Sequence, residues 1–135
     1  MDKRRYMKKI VAALIMLVLL ISLQDLLKAG NNPTANITWE KTSIDFGEVP
    51  FDTPVTAEFI FNNPGMMPVI ISDVKPSCGC TVADFPKQPI ASGKEGRISV
   101  TFDAKTPGYF SKTVTVYANI EGGLINLYIK GTVIK

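Results

Sequence analysis

Two hydropathy patterns divide the chain. Residues 10–23 (IVAALIMLVLLISL) form a 14-residue apolar run behind a basic stretch at 1–9. From about Asn36 onward, apolar and polar residues instead alternate in short runs with period 2, and no period of 3.6 lasts beyond about two turns. Val55, Ala57, Phe59 and Phe61 alternate with Thr56, Glu58, Ile60 and Asn62, which predicts a strand with one apolar face. Ile98, Val100 and Phe102 repeat the pattern, as do Val114, Val116 and Ala118, then Ile125, Leu127 and Ile129. Shorter extended runs are predicted at 37–40 and 43–49, either as a strand pair or as one kinked strand, and at 69–74 and 81–85.

Turn chemistry separates these runs. Asn62-Asn63-Pro64-Gly65 and Lys105-Thr106-Pro107-Gly108 place proline and glycine where tight turns need a fixed and a positive φ. Gly122-Gly123 predicts a hairpin joining the last two strands. Residues 86–96 read as a loop. About seven strands in roughly 100 residues, with turns every 8 to 12 residues, predict an all-β fold: an Ig-like antiparallel β-sandwich preceded by an N-terminal hydrophobic helix. A small β-barrel is the alternative. The Cys...Trp...Cys order of antibody domains is missing, because Trp39 precedes both cysteines.

The basic stretch and apolar run have the layout of an export leader, which assigns residues 1–30 to a signal peptide or a signal-anchor transmembrane helix. Fourteen apolar residues suit a cleaved signal, whereas continuing through 10–27 gives an anchor with Asp25 near the far interface. Ala29 is a poor cleavage position because Leu27 stands two residues before it. Both readings stay open. No cysteine directly follows the run to carry a lipid. Residues 31–36, with Pro33, read as a linker, and 37–135 as the domain. The positive-inside rule puts the domain across the membrane, anchored facing the periplasm or released into it.

Charge supports this division. The first 30 residues carry +4 and the remaining 105 carry −1, out of +3 for the whole chain, so the domain has no electrostatic basis for binding nucleic acid. There is no histidine, which removes Ser-His and Cys-His catalysis and imidazole metal sites. Asp84, Glu95, Asp103 and Glu121 are spread over different turns and read as solvated loop caps rather than as a paired-carboxylate acid/base site. Neither a catalytic set nor a cofactor motif is expected: Gly93-Lys94-Glu95-Gly96 is too short for a phosphate loop and has no helix after it.

The unusual chemistry lies in Ser77-Cys78-Gly79-Cys80-Thr81. Cysteines two apart fall near the upper limit of disulfide Cα spacing, and Gly79 permits a tight ring. A bond over so short a loop restricts the unfolded chain little. The pair Cys78 and Cys80 is therefore first a disulfide candidate; the alternatives are free thiols or mixed disulfides, a soft-ion metal site for Cu(I) and, last, exchange with a partner thiol.

The order Ile44-Asp45-Phe46-Gly47-Glu48-Val49, Phe59-Ile60-Phe61-Asn62-Asn63-Pro64-Gly65, Pro68-Val69-Ile70-Ile71, Ser77-Cys78-Gly79-Cys80-Thr81, Ser92-Gly93-Lys94 and Thr106-Pro107-Gly108 resembles the bacterial domain-of-unknown-function family 1573. The resemblance covers about Trp39 to Lys135 and departs at Pro64 and Ser92, both in turns. It implies an envelope-targeted Ig-like domain and carries no reaction with it.

The expectation is a non-enzymatic cell-envelope module for protein interaction or structural support, presenting a sandwich surface or an exposed edge strand to another envelope protein. The alternative is redox or soft-metal (copper) handling through Cys78 and Cys80. If the leader works as described, protease added to spheroplasts digests residues 31–135, whereas full protection places the domain in the cytoplasm.

Overall fold

The computed structural model describes residues 2–26 and 33–135 and divides into two compact units, residues 1–33 and 34–135. In the first, helix α1 (Lys3–Leu26) carries the apolar run. The Asp2 carbonyl accepts from the Arg5 and Tyr6 amides, and the Asp2 carboxylate pairs with Arg5 at 3.3 Å in the open. The side chains described on α1 are exposed all round, including Leu14, Leu17 and Leu20. Among the described residues no helix is long and apolar enough to cross a membrane. The suggested cleavage position at Ala29 lies outside the described residues.

The second unit is built of eight strands: β1 (Thr38–Trp39), β2 (Ser43–Pro50), β3 (Val55–Asn62), β4 (Ile71–Pro76), β5 (Thr81–Asp84), β6 (Glu95–Phe102), β7 (Gly108–Ala118) and β8 (Leu124–Ile134). They form two four-stranded sheets, ordered β1-β3-β6-β5 and β2-β8-β7-β4. The expected alternation holds through most of each long strand, with Val55 and Ile125 only half-buried. Ala57, Phe59 and Phe61 are buried, as are Ile98, Val100 and Phe102, then Val114, Val116 and Ala118, and finally Leu127 and Ile129. These side chains from both sheets make one core, because each sheet has a single apolar face and must cover it.

Two expectations are corrected. There are eight strands rather than about seven, since 37–40 and 43–49 hold neither a hairpin nor one kinked strand. The chain bends between Trp39 and Ser43 and changes sheet, so β1 pairs with β3 while β2 pairs with β8. The β2–β8 pair is also parallel, so the sandwich is not purely antiparallel. A strand that crosses to the other sheet without reversing meets its new neighbour in whatever direction it already runs.

Aromatic rings fill the space where two strands lack a side chain. Phe61 on β3 faces Gly96 on β6, and its ring occupies the position a Gly96 Cβ would take. Phe110 on β7 faces Gly131 on β8, where a Cβ would lie 2.9 Å from the ring. Trp39 packs on Phe61 with centroids 5.0 Å apart, and Phe110 stacks on Phe102 of the opposite sheet at 4.0 Å. Gly122 and Gly123 both have φ of 76° and make the expected hairpin turn between β7 and β8.

Asn63 was expected only as a turn residue, yet its side chain is fully buried. Nδ2 donates to the carbonyls of Met67 and Ile90, and Oδ1 accepts from the Gly65 amide. It therefore ties the β3–β4 loop to the β5–β6 loop. These loops lie at the end of the sandwich where the chain enters, marked by Ala35 bridging to Ile120. The opposite end carries the β2–β3, β4–β5 and β6–β7 connections.

Phe59→Ala or Phe61→Ala is expected to cost about 3–5 kcal/mol through the cavity left behind. Thr115→Ala loses only a hydrogen bond to Asn126 at 2.9 Å, about 1 kcal/mol. Denaturant unfolding checks both, and equal costs would mean the register is one residue out.

Candidate functional site

Cys78 and Cys80 lie where the chain passes from one sheet to the other. Strand β4, at the edge of its sheet, ends at Pro76. Ser77 stays bound to β7, its amide donating to the Thr113 carbonyl at 2.8 Å and its hydroxyl oxygen accepting from the Thr113 amide at 3.2 Å. The chain then turns through Cys78-Gly79-Cys80, and the Cys80 carbonyl accepts from the Asp103 amide at 3.0 Å, just past the end of β6. From there β5 runs along the edge of the second sheet. The tripeptide is thus a corner joining two sheet edges. Thr81 N donates back to the Cys78 carbonyl at 3.4 Å, which tightens it.

Within this corner Cys78 and Cys80 are joined by a disulfide, with Cα atoms 5.3 Å apart. Both cysteines are half-buried, whereas Gly79 is exposed and has open space where a Cβ would sit. Beneath them Thr81 is only 4% exposed, and its hydroxyl lies 3.6 Å from Cys78 Sγ and 3.9 Å from Cys80 Sγ. A cavity of about 160 Å³ opens beside Cys80, lined also by Phe102, Asp103, Tyr109, Phe110 and Lys112. With both sulfurs in the bond, neither is a thiolate ligand for a soft metal. Among the described residues no three His, Cys, Asp or Glu side chains come together as a metal cluster.

The four carboxylates are not brought together. Asp84 Oδ1 accepts from the Phe85 amide at 3.0 Å and Asp103 Oδ1 from the Lys105 amide at 3.3 Å, which are loop-capping contacts. Glu95 starts β6, and Glu121 is exposed in the β7–β8 turn.

Two other aspartates, Asp45 of the Asp-Phe-Gly element and Asp73, matter more. In edge strand β2 a register shift falls between Asp45 and Glu48, Gly47 has φ of 65°, and its amide donates to Asp45 Oδ1 at 2.8 Å. In edge strand β4 a shift falls between Ile71 and Asp73, and the Val74 amide donates to Asp73 Oδ1 at 2.8 Å. Each strand then ends in proline, Pro50 or Pro76. The other two edges are short: β1 has two residues and β5 has four. Bulges, prolines, side-chain caps and shortness are the devices that stop an edge from pairing with another chain. The Asp-x-Gly spacing at 45–47 was the one available signal.

The family described as protein of unknown function (DUF1573) matches residues 37–133. The chain belongs to that family. The match spans the β unit from just before β1 to near the end of β8, with the cysteine corner inside it. No curated protein is significantly similar to the chain. Among solved structures, a protein of unknown function from Porphyromonas gingivalis W83 superposes with a TM-score of 0.65 at 16% identity; the match covers 73% of this chain and 47% of that one. The chain therefore spans about half the length of that protein. The ASH / PapD-like domain 7 of human CEP192 gives a TM-score of 0.61 at 13% identity, covering 79% of this chain and 92% of that domain. The secreted serine protease VesC from Vibrio cholerae gives 0.58 at 12% identity, over 73% of this chain and 23% of the protease. At these identities the likeness is one of fold alone.

Proposed function

We propose that the chain is a non-enzymatic module of the bacterial cell envelope, an Ig-like sandwich that binds another envelope protein through the end bearing the Cys78–Cys80 corner. The observation that carries this reading is the closure of the sheet edges. β2 and β4 are bulged and capped by Asp45 and Asp73, and β1 and β5 are too short to template a partner strand. Strand addition is therefore disfavoured, and recognition falls to loops and side chains. Around the corner end apolar groups stand in solvent: Tyr109 is 71% exposed, Val82 67% and Phe51 44%. Aromatic side chains of this sort are the usual anchors of protein interfaces. That end lies opposite Ala35, where the chain enters the sandwich.

The envelope address rests on the leader: +4 on the first 30 residues and an apolar helix behind them. A domain carrying −1 has no pull toward polyanions, which favours a protein partner over nucleic acid. A photo-reactive phenylalanine analogue placed at Tyr109 in cells is expected to give a discrete cross-linked adduct. The same probe at Ser43 or Ser72, on the two long edges, is expected to give none. Adducts from the edge positions and none from Tyr109 would overturn the assignment of the binding end.

A further inference from the structure

We propose that the Cys78–Cys80 disulfide is a thiol-exchange site for a dithiol partner, and that Thr81 is the positioning residue that stabilises its reduced form. The proposal does not depend on which protein the sandwich docks on. It starts from an imbalance in the hydrogen bonding of a buried group. The Thr81 side chain is 4% exposed, and the partners of its hydroxyl are the two disulfide sulfurs, at 3.6 and 3.9 Å. A divalent sulfur is a weak acceptor, so the oxidised form repays little of what the hydroxyl lost on leaving water. A thiolate in the same place is a charged acceptor and forms a much stronger bond. The hydroxyl therefore favours the dithiol over the disulfide. Stabilising the reduced form is what makes a disulfide an oxidant.

Access and tolerance point the same way. Cys78 and Cys80 are half-buried rather than sealed, and Cys80 lines the cavity of about 160 Å³ whose wall includes Lys112. Asp103 lines the same wall, so Lys112 brings no net positive charge to it. The corner is also held by bonds that do not involve sulfur, from Ser77 N to Thr113 O and from Asp103 N to Cys80 O. Opening the disulfide leaves both in place. A ring closed over a single residue contributes little restriction of the unfolded chain, so its loss is cheap.

The exchange proceeds in two displacements. A partner thiolate enters through the cavity and attacks Cys80 Sγ; a new S–S bond forms, the Cys78–Cys80 bond breaks, and Cys78 leaves with the electron pair as a thiolate. That sulfur is the nearer of the two to the Thr81 hydroxyl, which donates to it. The partner's second thiolate then attacks its own sulfur in the mixed disulfide and releases Cys80 as a thiolate. The partner dithiol ends as a disulfide, and two electrons pass to Cys78 and Cys80. The two protons lost by the partner are returned to the pair through solvent.

The test equilibrates the full-length chain, in detergent micelles, across a series of reduced and oxidised glutathione ratios and reads the reduced fraction by alkylation and mass. The wild type is expected to be substantially reduced at ratios that leave structural disulfides oxidised. Thr81→Val is expected to lower the reduced-to-oxidised ratio about tenfold or more, the loss of a hydrogen bond to a charged group, and Thr81→Ser to restore it. A wild type that stays oxidised across the series, or a Thr81→Val chain that matches it, overturns the proposal. Should Thr81→Val fail to fold, the pH dependence of alkylation decides the matter in the reduced wild type and Thr81→Ser. One thiol titrating below the ordinary cysteine range in both supports the proposal, and an ordinary or raised value in either overturns it.

Discussion

The sandwich depends on phenylalanine rings laid over glycines of the adjacent strand, once in each sheet. Phe61 covers Gly96 between β3 and β6, and Phe110 covers Gly131 between β7 and β8. A ring lying flat across the neighbouring backbone needs a residue without a Cβ beneath it, so a slip of one position drives a side chain into the ring. Register in both sheets follows from that constraint. Trp39 then has a surface to pack on, which fixes the two-residue strand β1, and Phe110 reaches across to stack on Phe102 and lock the sheets together. Close packing of this kind accounts for a core that closes without a cross-link between the sheets.

The long strands were legible because burial on one face leaves a period-2 record in the residues themselves. Val114, Val116 and Ala118 could be assigned inward with no knowledge of their neighbours. What escaped depended on partners distant in sequence. Nothing local distinguishes a kinked strand at 37–49 from two strands in different sheets, since only pairing with β3 or β8 tells them apart. Asn63 looked like turn chemistry because its second role, bonding the Ile90 carbonyl 27 residues away, exists only once the loops have met. The cysteine pair was visible, but its place as the corner between two edge strands was not, and neither was the buried hydroxyl under it.

A division of labour results. One end of the sandwich receives the chain and is tied by Asn63; the strand edges are closed by Asp45, Asp73, Pro50 and Pro76; the other end is left with exposed apolar side chains and the disulfide. Closing the edges matters because open strands would pair with copies of themselves. It also concentrates in one place whatever recognition and chemistry the module performs.

Underlying all of this is the claim that aromatic and aliphatic packing holds the fold and that the disulfide is spare, free to open and close. Denaturant unfolding of the full-length chain in micelles tests it most directly, comparing the oxidised wild type with Cys78→Ser/Cys80→Ser. The account predicts the same β-sheet signal and a stability lower by no more than about 1–2 kcal/mol, the restriction so short a loop imposes on the unfolded chain. A double variant that fails to fold, or that loses more than about 3 kcal/mol, a cost typical of removing a structural disulfide, would contradict it.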